Sequence, residues 1–202
     1  MMEAQFDRVC QEVDRYGYSV WSDALTPEEV QAICEEIDRL QRSDAFRKAG
    51  IGKEQDFQIN AQERGDFIHW ITPEQAAACT QVALERLREL IQFLNRHLYL
   101  GIRDMECHYA FYPKGAGHKR HVDRHRHQSH RIISVVLYLN TSWKEGDGGE
   151  LLLYPAGGNA LSIQPKAGTL AIFLSDLEHE VLPTAQPRYS ITGWLLDEQR
   201  FF

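Results

Sequence analysis

The sequence predicts an α+β fold: a double-stranded β-helix, the cupin-like jelly roll, with N-terminal helices packed on one of its sheets. Three observations lead there. Up to about residue 100, apolar residues recur at helical spacing behind strong helix starts. After Gly101 the texture changes to short apolar runs bounded by turn residues: HYAFYP, IISVVLYLN, GGELLLYP, ALSIQP, GTLAIFL, HEVLPT and RYSITGWLL. Seven or so strands this close together make a sandwich or barrel, not a doubly wound sheet. An immunoglobulin-like sandwich gives no reason to carry helices ahead of it, so helices backing a jelly roll fit better. A length of 202 residues suits one domain over 1–202, with helical support over 1–100 and the β-helix over about 101–198.

In chain order, Phe6, Val9, Cys10 and Val13 mark a short amphipathic helix, and Tyr18-Ser19-Val20-Trp21 a brief strand. Thr26-Pro27-Glu28-Glu29 combines a capping hydroxyl, a first-turn proline and acids at the positive end of the helix dipole. Val30, Ile33, Cys34, Ile37 and Leu40 are that helix's buried stripe. From about Ser43 to Arg64 no period is visible and polar residues dominate, which reads as a long mobile loop. Thr72-Pro73-Glu74 is a second helix start. Its stripe of Ala76, Cys79, Ala83, Leu87, Leu90, Ile91, Leu94 and Leu98 describes a long helix lying along a flat surface.

Composition narrows the function classes. A net charge of −7 argues against general nucleic-acid binding, although basic residues cluster over Lys119–Arg131. No run approaches the ~20 apolar residues of a membrane span. The first residues are charged and amphipathic, unlike a secretory signal. Cys10, Cys34, Cys79 and Cys107 show no paired spacing, and three fall in helix-like apolar patterns. Reduced thiols and a cytoplasmic protein are expected.

The chemistry gathers around Arg120-His121-Val122-Asp123. On a strand, residues two apart share a face, so His121 and Asp123 point together and offer an imidazole nitrogen and a carboxylate oxygen. His179 opens a late strand that a jelly roll can lay beside the first. Two histidines and a carboxylate leave other metal positions open, as in non-haem iron(II) oxygenases, but zinc hydrolases use the same ligands. Arg188 separates these readings. Alternation puts Arg188, Ser190, Thr192 and Trp194 on one face of an apolar strand, and a buried guanidinium there needs an anion. A dicarboxylate cosubstrate supplies one, bidentate at the arginine and chelating at the metal. A structural Arg–Glu pair is the plainer alternative.

These residues lie in a longer pattern. The segment 112–123, Tyr-Pro-Lys-Gly-Ala-Gly-His-Lys-Arg-His-Val-Asp, closely resembles prolyl 4-hydroxylases of the hypoxia-sensing, Egl-nine type and their bacterial relatives. So do Leu137-Tyr138-Leu139-Asn140 with Trp143, and Gly148-Gly149-Glu150-Leu151 with Tyr154-Pro155. His179-Glu180-Val181 and Arg188-Tyr189-Ser190-Ile191-Thr192-Gly193-Trp194 continue the match, and Arg64-Gly65-Asp66-Phe67-Ile68-His69-Trp70-Ile71 extends it upstream. The likeness covers nearly the whole chain in order.

The resemblance implies an iron(II)- and 2-oxoglutarate-dependent dioxygenase that hydroxylates a prolyl residue of a protein substrate, turning 2-oxoglutarate and O2 into succinate and CO2. Ascorbate is the expected reductant. Carried over residue by residue, it implies His121, Asp123 and His179 as iron ligands, and Arg188 and Tyr138 on the far carboxylate of 2-oxoglutarate. Tyr112 would sit beside the chelating end, with Leu151, Thr192 and Trp194 lining the pocket. Arg64 and Asp66 would lie near the substrate entrance, with 43–63 as a closing loop. The chain departs from the family at His118, where an aromatic residue is common, and in a loop from Tyr112 to His121 that looks one residue shorter. The histidine-rich stretch His125–Arg131 is also unusual and reads as a basic solvated loop that touches an acidic part of the substrate. Two other readings compete: the same oxygenase chemistry on another residue or a small molecule, and a non-catalytic cupin-like metal- or ligand-binding module.

Overall fold

The structure, a computed structural model, describes residues 2–50, 64–124 and 130–198. Three helices, α1 (Met2–Tyr16), α2 (Pro27–Arg42) and α3 (Ala78–Leu98), precede most of the strands. The strands are β1 (Tyr18–Trp21), β2 (Arg47–Lys48), β3 (Phe67–Ile71), β4 (Asp104–Tyr112), β5 (His118–His121) and β6 (Arg131–Tyr138). They continue with β7 (Leu151–Leu153), β8 (Leu161–Ile163), β9 (Leu170–Leu174), β10 (His179–Val181) and β11 (Arg188–Leu196). Seven form one sheet in the order β1-β9-β6-β11-β4-β3-β2, and four form a second in the order β5-β10-β7-β8. Their named pairings are antiparallel, and two such sheets face to face make the expected double-stranded β-helix with helices on the outside.

Strand alternation gives the large sheet two different faces. Ile133, Val135 and Leu137 of β6 and Leu170 and Ile172 of β9 join the helices' Val9, Ile33, Leu87 and Leu94 in an outer hydrophobic cluster. Their strand neighbours Val136, Tyr138, Ala171 and Phe173 face inward and meet Leu151 and Leu153 of β7 and Val181 of β10. The helices are thus needed to keep the outer face of the sheet from water.

Local chemistry explains the helix limits. Thr26 and Glu29 form a full capping box at the start of α2, with the Glu29 amide donating to the Thr26 hydroxyl at 3.2 Å and the Thr26 amide donating to the Glu29 carboxylate at 2.8 Å. Gly17, at φ +79, stops α1 and returns its N–H to the Val13 carbonyl at 2.9 Å.

Three expectations need correction. The helix predicted from Thr72 is only a 3-10 turn over Pro73–Gln75, because Thr72 makes no side-chain cap and Ala76 is extended. The long helix begins at Ala78, where the Thr80 hydroxyl bonds to that of Tyr109 and fixes the helix on the sheet. The supposed loop 43–64 contains β2, whose exposed Arg47 and Lys48 pair with Ile68 and Phe67; residues 51–63 lie outside the described ones. Arg131 is not in a solvated loop. It opens β6 and forms a half-buried ion pair with Glu106 at 2.7 Å, while His130 meets Asp197 and Glu198, each at 2.9 Å. Residues 125–129 of that stretch lie outside the described ones.

Gly193, mid-strand in β11, is tightly enclosed. An added Cβ would stand 2.5 Å from Cys107 Sγ and 2.6 Å from the Glu106 carbonyl oxygen. Gly193→Ala is expected to destabilise the fold by about 1–3 kcal/mol through overpacking, read as a drop of several degrees in thermal midpoint.

Candidate active site

A cavity opens between the sheets, lined on one side by His121, Asp123 and His179 and on another by Arg188. β5 and β10 are neighbours, and their register sets His179 directly opposite His121. The strand argument for Asp123 needs amending: β5 ends at His121, and Asp123 lies just beyond it. Its amide donates to the Ser175 carbonyl at 3.0 Å, and that turn brings the carboxylate back to the histidines.

Each histidine is oriented by the backbone. The Nδ1 of His121 contacts the Lys119 carbonyl at 2.7 Å and that of His179 the Leu177 carbonyl at 2.9 Å. A carbonyl only accepts, so Nδ1 carries the proton in both rings and Nε2 presents a lone pair. The two Nε2 atoms stand 3.7 and 3.4 Å from the oxygens of Asp123. One ligand atom from each residue lies within 4.8 Å of the others, a spacing that can hold a metal ion. Ser134 donates to Asp123 at 2.7 Å. Burial pushes the Asp123 carboxyl up, but His179, His121 and the Ser134 hydroxyl outweigh it and hold its pKa at about 2. Burial, with His179 nearby, lowers His121 to about 4. At neutral pH the donor set is therefore a carboxylate and a neutral His121 imidazole beside His179, which suits a divalent cation.

The other end of the cavity suits an anion. Arg188 is 3% exposed and, among the described residues, has no carboxylate partner. Its Nε donates to the Gly149 carbonyl at 2.9 Å, and its guanidinium stacks on the rings of Tyr112 and Tyr138. Gly149, at φ +76, also makes room: an added Cβ would approach the Arg188 Cδ to 3.0 Å. Tyr138 is fully buried against Arg188, behind the lining, and among the described residues its hydroxyl faces that guanidinium without a well-formed hydrogen bond. Leu151, Thr192, Trp194 and Tyr112 line the same cavity. So do Arg64 and Asp66, locked in a bidentate pair at 2.8 and 3.1 Å.

Sequence reasoning missed three polar lining residues. Ser134 shares the inward face of β6 with Tyr138, and His108 that of β4 with Tyr112, so alternation along HYAFYP and IISVVLYLN was the available signal. His118, seen only as a departure from the family, stacks on His121 with ring centroids 3.7 Å apart. Buried unpaired polar atoms cost about 1–3 kcal/mol each. Three occur among the described residues: Tyr138 Oη, Trp194 Nε1 and His108 Nδ1. The Trp194 indole points its dipole at Asp123 and helps keep it ionised without a well-formed hydrogen bond.

Known proteins share this fold. Residues 13–146 match the phytanoyl-CoA dioxygenase (PhyH) family and residues 107–196 the 2OG-Fe(II) oxygenase superfamily. A Pseudomonas putida prolyl-4-hydroxylase crystal structure is 38% identical, covers 95% of this chain and 99% of that one, and superposes with a TM-score of 0.87. The chain belongs to the 2OG-Fe(II) oxygenase superfamily. The superfamily's description names its metal as Fe(II) and its cosubstrate as 2-oxoglutarate. Within it, the likeness to prolyl hydroxylases read from the motifs holds. A Trichoplax adhaerens prolyl hydroxylase, solved with a hypoxia-inducible-factor peptide, is 27% identical over 97% of this chain and 90% of that one, with a TM-score of 0.88. Human Egl nine homolog 1 is 30% identical over 92% of this chain and 45% of its own length. The Caenorhabditis elegans hypoxia-inducible factor prolyl hydroxylase is 27% identical over 95% of this chain and 28% of its own. The chain thus spans between a quarter and a half of these two curated relatives.

The cavity's histidines set a pH dependence. Burial lowers His108 to about 3 and His121 to about 4, against 6.5 for an unperturbed side chain. As pH falls below about 6.5 the unfolded chain takes up protons that the folded one refuses. The metal-free protein should therefore lose stability from pH 7 to pH 5. Thermal melts across that range should show the loss, and His108→Met should make it shallower.

Proposed function

We propose that this chain is an Fe(II)- and 2-oxoglutarate-dependent dioxygenase that hydroxylates a prolyl residue in a protein substrate. One observation carries the reading. A buried arginine that has no carboxylate partner among the described residues and a His-Asp-His cluster both line one cavity, so a dicarboxylate can answer both. The Trichoplax and Pseudomonas structures, both of prolyl hydroxylases and alike over nearly the whole chain, support the substrate class.

In this reading His121, Asp123 and His179 hold Fe(II), which with 2-oxoglutarate supplies the activation of dioxygen. The chain's own residues bind and orient. Arg188, stacked between two tyrosine rings, grips the far carboxylate with a bidentate face, and Tyr138 adds its unpartnered hydroxyl there. Leu151, Val136, Phe173 and Val181 keep the reacting centre dry. Arg64 and Asp66, at the wall nearest β3, guide the substrate. Succinate and CO2 would be the products, and ascorbate would serve as the reductant. A cytoplasmic setting is part of the proposal and rests on four free cysteines, of which Cys10 and Cys107 are buried. No helix among the described residues is long and apolar enough to cross a membrane.

The test is succinate formation by the protein with Fe(II), 2-oxoglutarate and ascorbate, beside His121→Ala and Arg188→Ala. His121→Ala should abolish turnover, and Arg188→Ala should lower it at least about tenfold through weaker 2-oxoglutarate binding. A gain of one oxygen on a proline of a candidate protein, found by mass spectrometry, would fix the substrate class. If neither turnover nor Arg188-dependent binding of 2-oxoglutarate under nitrogen is found, the chain is a non-catalytic binding module instead.

A further inference from the structure

The reading above leaves one buried polar atom at the cavity without a role, the Nδ1 of His108. Tyr138 has Arg188 beside it, and Trp194 has Asp123. His108 is 1% exposed and packed among aromatic rings. Trp70 meets it edge-on at 5.0 Å and Trp194 tilts over it at 5.4 Å, and an indole offers no acceptor to a ring nitrogen.

Strand register tells where His108 stands along the cavity. Arg188 pairs with Tyr112, Thr192 with His108, and Trp194 with Ser134, whose hydroxyl holds Asp123. Rows on one face of a strand follow each other every two residues, roughly 6.6 Å. A ligand stretched from Arg188 towards His121, Asp123 and His179 therefore passes the Thr192–His108 row just before the Trp194–Ser134 row beside the cluster. Between His108 and Tyr112 the same face of β4 carries only the methyl group of Ala110, so no bulky side chain separates the two rows.

Building on the proposed function, we propose that His108 is a further cosubstrate-binding residue whose Nδ1–H donates a hydrogen bond to the metal-proximal carboxylate of 2-oxoglutarate. A 2-oxo acid chelates a metal through its keto oxygen and one carboxylate oxygen. The second carboxylate oxygen is left without a metal contact inside a buried cavity and needs a donor. Carboxylates only accept, so the proton sits on Nδ1. A neutral imidazole meets that need without adding a cation beside the metal.

The probes are 2-oxoglutarate and 4-oxopentanoate, which keeps the far carboxylate and the ketone but has a methyl group in place of the proximal carboxylate. Each is titrated calorimetrically into the Zn(II)-loaded full chain, wild type beside His108→Met and His108→Asn. His108→Met should weaken 2-oxoglutarate about tenfold or more, leave 4-oxopentanoate within about twofold, and leave Zn(II) affinity unchanged. His108→Asn, whose amide N–H stands in for Nδ1–H, should recover much of the loss. In the unmutated protein, nitrogen NMR should show the His108 Nδ1 resonance moving on addition of 2-oxoglutarate and staying put with 4-oxopentanoate, which needs no variant to fold. Equal 2-oxoglutarate affinity in His108→Met and wild type, or equal losses for both ligands, overturns the assignment alone. A wild type that binds no 2-oxoglutarate overturns the proposed function and this inference with it.

Discussion

The site depends on one backbone pairing, that of β10 with β5. It sets His179 opposite His121 although the two are far apart in the chain. Each ring is then turned by a carbonyl two residues back on its own segment, Lys119 for one and Leu177 for the other. Main-chain hydrogen bonds thus decide where both nitrogen donors point. Only the carboxylate is placed by a turn, and there Ser175 and Ser134 hold it from two directions. A ligand set fixed this way needs little rearrangement when it closes on a cation.

The second constraint is the large sheet, which is apolar on both faces. Its inner face nevertheless carries Arg188, Ser190, Thr192, His108 and Ser134, side chains that a plain sandwich core would exclude. They are tolerated because the smaller sheet, with short strands of three or four residues, does not cover that face completely. The gap is the cavity. Polar residues on an otherwise hydrophobic sheet are therefore where the fold gives way to chemistry.

Much of this was legible in the residues. Period and capping placed α1, α2 and β1, because those signals act within a few residues. Arg188 announced itself as a charge on an apolar strand, and the motif order carried the triad. What stayed hidden depended on distant partners. Arg131 looks solvated until Glu106, on another strand, is known to pair with it. β2 has two exposed basic residues and exists only because β3 lies alongside. α3 starts late because Tyr109 catches Thr80, a contact no window of local sequence contains. His108 was passed over because a buried histidine in an apolar run looks like packing until its nitrogen is found without a partner.

The alternation of β4, β6, β9 and β11 also makes the large sheet a partition. Neighbouring residues on one strand serve different compartments, the helical side taking Val135 and Ile172 and the cavity side Val136 and Phe173. The two sides share a backbone but few side-chain contacts. Neutral drift among the helices, including wholesale changes in their outer surfaces, is insulated from the reacting centre as long as the strands keep their register. Such a division lets a lineage exchange its outer coat for new surroundings or new binding surfaces while the chemistry inside is conserved.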